Sequence, residues 1–461
     1  MGQARLSKLR PTILLRTLSQ GEPVGIRFLR TFEGDPSQVE RAASLLSRAV
    51  AAGGLALIAA TWPLWTPQTA FPQIPFFGAF RRVPAWLDWP ALVVACVSLM
   101  TALIAGSRWR LGRWSLLTFV AAIAFLVLAD QHRLQPWAYE LSLLALILAV
   151  LPASEAIVWS RLLIVSIYFC SALSKFDWTF IESGGGQIVA GLSQCLQMNL
   201  GRSSLPERIL AGALACGELL VAAGLCWRRT RRVALIASLA MHALLLAALG
   251  PWGARQKPAV LLWNVYFIVQ NFVLFGIAGN KGGATAADVP LASAPALSAG
   301  RPWRLAVRGL IVLAVLFPLS EPFGICDVWP AWAVYATGPE RLRVYIDSTD
   351  IARVAAAVGP YVDVPRYVDG RCLVRIDRWS LDATQAPLYP QNRFRLGIAL
   401  ALAEAAGLQK RIQVEIEGPA NHWTGQRSSH TLTGSTAIAA ELNGDWLNGL
   451  PRQFADRNLR K

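Results

Sequence analysis

Charge is what this chain has least of. Asp, Glu, Lys and Arg make up 16% of its residues, against roughly 25% in soluble domains, and that shortage excludes an ordinary water-soluble globule. Acid is scarcer than base, with 28 Asp and Glu against 44 Lys and Arg. The seven cysteines contain no C-x-x-C pair, so the chain carries no dithiol of the kind that relays electrons or clasps zinc. Cys96, Cys170, Cys216 and Cys226 lie in apolar runs and read as small buried hydrophobes. Cys195, Cys326 and Cys372 fall in segments placed outside the membrane, where one disulfide among them is an open expectation. The first 45 residues lack the apolar core of a cleavable signal.

Apolar residues supply the rest. They make up 54% of the chain, with mean hydropathy +0.41, which predicts a polytopic membrane protein. Many of the 18 Trp stand near the ends of apolar runs, where aromatic belts form at the two membrane surfaces. A net charge of +16 raises the question of nucleic acid, so its location matters. Residues 1–324 hold 28 Lys and Arg against 14 acids, and residues 325–461 hold 16 against 14. The excess belongs to the membrane half and is read as a topology signal, with no nucleic-acid partner.

Taken in order, the chain predicts an all-α polytopic membrane helix bundle of about nine spans with a C-terminal soluble α+β domain. Residues 1–48 form a basic cytoplasmic lead-in, of which 36–48 have the spacing of an amphipathic helix on the inner leaflet. The bundle occupies 49–277, with spans at about 49–65, 90–106, 115–130, 137–152, the stretch after Arg161, 209–227, 233–249 and 258–277. Residues 187–200 read as a helix lying along the surface. A low-complexity Ala/Ser/Pro linker covers 278–303, is expected to be disordered, and leads to the last span at 304–320. With the N-terminus inside, these spans place 20 Lys and Arg on the inner side and 8 on the outer, which favours N-in and C-out. Residues 325–461 then form an extracytoplasmic domain, with strands near 341–347, 372–377 and 411–417 and helices near 348–358 and 391–406. That tail shows no metal-ligand spacing, nucleophile elbow or phosphate loop, and His422 and His430 read as residues of a solvated loop.

The chain is organised around the stretch from Arg161 to Gln187, an apolar helix closing on Ser174-Lys175-Phe176-Asp177 and broken by Ser183-Gly184-Gly185-Gly186. A Lys on the last apolar turn either snorkels to an interface or finds a partner inside. Lys175 is therefore either an anchor or a desolvated base. Ionisable groups inside spans are costly and mark functional sites by default. Glu218 and His242 lie near the middle of their spans, each about 13 Å from an end at 1.5 Å per residue. They either tie helices together or share a proton for a quinone-like partner. Asn264, Gln270 and Asn271 add polar groups to the eighth span.

At these residues the chain resembles two related groups of membrane proteins. The run Ile167-Tyr168-Phe169-x-Ser171-Ala172-x-Ser174-Lys175-Phe176-Asp177, with its Gly-rich continuation, is similar to their Y-F-x-x-G-x-x-K-L segment. One group carries the horizontally transferred transmembrane (HTTM) domain and includes the vitamin K-dependent gamma-carboxylases. The other is the DoxX/MauE set of redox-associated proteins. Gln135-Pro136-Trp137, Glu218-Leu219-Leu220, Arg229-Thr230-Arg231-Arg232 and Met241-His242 extend the likeness over about residues 90–280. The resemblance implies either a carboxylase-like base, which would fall on Lys175, or electron exchange with quinone and disulfide chemistry with a thiol-containing partner.

Three functions follow as expectations. The first is a redox-associated protein of the bacterial inner membrane that handles a quinone-like or lipid substrate. In it Lys175, near the outer mouth, Glu218 and His242 are catalytic, and Tyr168, Asp177, Asn264 and Asn271 bind substrate. The second is a non-enzymatic scaffold presenting the tail to a partner. The third is gamma-carboxylase-like activity with Lys175 as base.

Overall fold

In lipid every backbone N–H and C=O must be satisfied within its own segment, so long uncharged runs of Leu, Ala, Val and Ile wind into helices. The computed structural model describes residues 36–198, 201, 204–278, 300–363 and 370–452. The lead-in up to residue 35 and most of the expected linker lie outside these. Helices follow at α1 (Pro36–Ala60), α2 (Asp88–Ala105), α3 (Arg110–Ala129), α4 (Pro136–Val150) and α5 (Ala153–Leu173). Then come α6 (Gly185–Cys195), α7 (Leu205–Cys226), α8 (Arg231–Leu249), α9 (Pro258–Asn271) and α10 (Arg301–Leu316). Among the described residues eight helices are long and apolar enough to cross a membrane, and α4 is a shorter apolar one.

Several expectations are corrected here. Residues 36–48 are no separate surface helix but the first turns of α1, with Val39, Ala42, Ala43 and Leu46 buried in the bundle. Arg161 does not precede the fifth span. It lies within α5, fully buried, its Nε donating to the Leu274 carbonyl at 2.7 Å. The glycines at 184–186 do not break the chain, because a wide π-helical turn, Phe180–Gly184, runs directly into α6. The break falls earlier, between Leu173 and the π turn. Nor is α6 a surface helix: Gly185, Gly186, Ile188, Val189, Gly191 and Ser193 are buried. Gly191 is required at its crossing with α8, since a Cβ there would stand 2.3 Å from the Ala248 carbonyl oxygen. All seven cysteines are free, so the disulfide expected among Cys195, Cys326 and Cys372 is not formed.

The tail folds onto an antiparallel sheet in the order β2-β1-β3-β4, with β1 Arg341–Asp347, β2 Arg371–Val374, β3 Gln413–Glu417 and β4 Ser429–Thr433. Strand β1 alternates as its sequence does, burying Leu342, Val344 and Ile346. Helices α11 (Ile351–Val358), α12 (Ile376–Thr384), α13 (Asn392–Ala406) and α14 (Gly434–Leu442) complete it. Strand β4 corrects the solvated-loop reading of His430, which pairs opposite Ile416 in the sheet.

The tail's core is not its own. Phe71 and Ile74, from the connection between α1 and α2, are buried in one apolar cluster with Val344, Val414, Phe394 and Ile398. Polar groups seal the same junction. Asp88 Oδ2 accepts from Arg133 Nη2 at 2.6 Å and from Gln73 Nε2 at 3.1 Å, and Arg452 Nη1 stands 3.3 Å from Asp88 Oδ1. His132 Nε2 lies 2.9 Å from the Pro387 carbonyl, and Arg393 Nε donates to Gln131 Oε1 at 3.0 Å.

Candidate functional site

Tyr168, Ser171 and Lys175 are spaced to fall on one face at the end of α5, and that face looks into the bundle. Lys175 is 7% exposed. Its Nζ donates to Glu218 Oε2 at 2.5 Å, to Ser171 Oγ at 2.5 Å and to the Ser171 carbonyl at 3.2 Å. Three N–H groups meet three acceptors, so the ammonium is saturated where it stands. Glu218 lies ten residues beyond Arg208 along α7, a rise of about 15 Å. Arg208 itself pairs with Glu182 at 2.9 Å. The Lys175–Glu218 pair is therefore well along α7 from its start, and Lys175, buried and held by inward partners, is not a snorkelling anchor.

A second cluster forms around His242. Tyr168 Oη is 2.6 Å from His242 Nε2, and His242 Nδ1 is 2.9 Å from Asn264 Oδ1. Asn264 Nδ2 donates to the Val260 carbonyl at 2.9 Å, which fixes the amide so that its oxygen faces the imidazole. Nδ1 then carries the proton, Nε2 accepts from the Tyr168 hydroxyl, and that hydroxyl accepts from Asn271 Nδ2 at 2.6 Å. Every donor faces an acceptor with the imidazole neutral. Phe267 stacks on the ring, centroids 4.8 Å apart. Asn271 closes α9 where the helix widens into a π turn, Phe272–Ile277, a distortion common at functional sites.

The expected bond between Glu218 and His242 is not made, since each has other partners. Lys175 with Glu218, and His242 with Tyr168, Asn264 and Asn271, form two pairings joined through α5. Asp177 stands apart from both. Its Oδ1 accepts from the Thr179 amide at 2.7 Å, and its Oδ2 lies 3.2 Å from His422 Nδ1. Asp177 thus sits where the tail meets the bundle, and His422, read as a solvated loop residue, faces it.

Glu140 was missed by sequence reasoning. It is fully buried in α4, its Oε2 accepting from Trp263 Nε1 at 2.7 Å and its Oε1 from Gln270 Nε2 at 2.6 Å. The signal was present, because a carboxylate three residues inside an apolar helix is as costly as Glu218. Beside Glu140 the hydroxyl of Tyr266 and the side-chain oxygens of Gln270 and Asn271 are buried without a hydrogen-bond partner among the described residues.

No protein-family model, curated protein or solved structure matches the chain. The described residues form a mostly helical fold, with eight helices long and apolar enough to cross a membrane and a small C-terminal sheet, which is compatible with an integral membrane protein. Chemistry must be read from the side chains themselves.

Proposed function

We propose that this is a nine-pass protein of the bacterial inner membrane, N-terminus inside and tail outside, that carries out redox-linked proton transfer on a quinone-like or lipid substrate. Nine passes are supported by which connections touch the tail. These are the segments after α1 (Trp379 Nε1 to the Ala70 carbonyl, 2.9 Å), after α3 (His132), after α5 (His422 with Asp177) and after α8 (Lys257 with Asp382, 3.3 Å). Alternation of this kind requires α4 to cross, although its 15 residues rise only about 22 Å. The opposite side collects Arg48, Arg108, Arg110, Arg228, Arg229 and Arg232, in keeping with the positive-inside rule.

The observation that carries the chemical reading is the desolvated Lys175–Glu218 pair beside a complete hydrogen-bond chain through His242. Two charges in a bundle cost more than apolar residues of the same size, and their retention there is explained if they move a proton. Lys175 becomes a base only after passing a proton to Glu218, so the pair acts as one proton carrier, and His242 with Tyr168 supplies a neutral relay. The likeness to DoxX/MauE and HTTM proteins fits this reading, with electron transfer to a cysteine-containing partner, or a carboxylase-like substrate that gives its proton to Lys175, as the alternatives. Quinone content and turnover of the purified protein test it. Glu218→Gln and His242→Ala are each expected to lower turnover at least about tenfold, the scale of a lost acid/base group. Unchanged quinone content and turnover in both variants would retire the proposal.

A scaffold is the second reading, favoured by the sealed junction at Asp88, Arg133 and Arg452. It expects partner binding by the tail to survive Glu218→Gln and to be lost when that junction is opened.

A further inference from the structure

Helix α4 stops at Val150, while α3 and α10 run on beside it on the arginine-rich side. Over its end lies a groove of about 690 Å³, walled by Trp114 and Leu117 of α3 and by Trp303, Val307 and Leu310 of α10, with Leu146 and Val150 as its floor. Arg110 stands at its rim. The charges around this end of α3 are unbalanced. Arg113 is 6% exposed, its Nε donates to the Ser107 carbonyl at 2.8 Å, and its Nη1 is buried with no hydrogen-bond partner among the described residues. Arg304, next to Trp303, also buries an unpartnered Nε and lies close enough for its charge to bear on Arg113. Glu155, the acid at the start of α5, is occupied by Arg308 at 2.6 Å. Two neighbouring guanidinium groups with orphaned N–H groups call for an acceptor, and an anion is the acceptor that also balances their charge. The apolar groove beside them suits a hydrocarbon chain, and the Trp rings suit the headgroup level.

We propose that this groove holds an acyl chain of an anionic phospholipid whose phosphate is bound by Arg110, Arg113 and Arg304. The occupant is a membrane lipid and not a free phosphate, because the walls continue into apolar surface at Leu310. The proposal is independent of the Lys175 site. Native mass spectrometry of the full chain, purified and offered phosphatidylglycerol and phosphatidylcholine in equal amounts, tests it. Retention of phosphatidylglycerol is expected to exceed that of phosphatidylcholine at least about tenfold, and the double variant Arg110→Gln with Arg304→Gln is expected to abolish the preference. Arg228→Gln with Arg229→Gln, on the same side but away from the groove, is expected to leave it intact. A readout that needs no charge change is quenching of Trp303 by lipid brominated in its acyl chains, measured as the difference between the unmodified chain and Trp303→Phe. Stronger quenching by brominated phosphatidylglycerol than by brominated phosphatidylcholine is expected. Equal retention of the two lipids, retention that tracks free phosphate, equal loss in both double variants, or a lipid-free dimer in the spectrum would each overturn it.

Discussion

Lys175 shows how a single residue changes meaning with its surroundings. At a helix end it reads as an anchor; here the chain turns inward at Ser174 and delivers the ammonium to Glu218 and Ser171. Removing one partner of such a pair strands the other charge, which costs about 3–5 kcal/mol, whereas replacing both is far milder. Lys175→Met and Glu218→Gln are therefore each expected to lower the apparent Tm strongly, and the double variant to recover most of the loss. A double-mutant cycle by thermal unfolding in detergent checks this, and additive losses would show that the pair is not coupled. Tyr168→Phe is a finer probe. It leaves His242 Nε2 and Asn271 Nδ2 without the hydroxyl they share, and is expected to destabilise by about 1–3 kcal/mol.

Among the elements, the connection between α1 and α2 does the most to join the two halves. Its Pro- and aromatic-rich sequence reads as a loop, yet Phe71 and Ile74 enter the tail's core and Asp88 gathers two arginines from distant parts of the chain. Asp88 is buried with Arg133 and Arg452, so Asp88→Asn leaves two guanidinium groups without a counter-charge and is expected to cost about 3–5 kcal/mol. Limited proteolysis should then release the tail from the bundle, and a tail as resistant as in the unmodified protein would contradict this role. Strand β4 and helix α14 belong to the same scale. Short polar strands such as Ser429–Thr433 carry almost no periodic signal of their own and exist because β3 offers an edge to pair with.

Across the whole molecule, the junction of tail and bundle contains two buried titratable neighbours with opposite leanings. Burial pushes the Asp130 carboxyl up to about 6 and the His132 imidazole down to about 4. A raised Asp contributes stability at low pH that is lost as pH rises through about 6. A lowered His contributes stability above its ordinary range that is lost as pH falls toward about 4. Between those values the two slopes oppose each other, so the unmodified protein is expected to be nearly flat across that window. Asp130→Asn removes one slope and exposes the other. Its stability should fall by about 1.4 kcal/mol for each pH unit below about 6, read as apparent Tm in a pH series. A flat profile in that variant would show that His132 is not held neutral by the junction.

The amino-acid sequence alone determined that the chain carries several runs long and apolar enough to cross a membrane, where most of its helices run, and where β1 and α13 lie, because hydropathy and two-residue alternation are local properties. It also marked Glu218, His242, Asn264 and Asn271, since polar groups in apolar runs stand out without knowledge of their neighbours. Only the tertiary structure decided that Lys175 joins Glu218, that His242 joins Tyr168, that Arg161 lies inside α5, and that Glu140 is part of the polar interior. Those outcomes depend on helix rotation and on where a helix ends relative to its neighbours. Both are set by packing between segments 43 to 130 residues apart, which no short window along the chain contains.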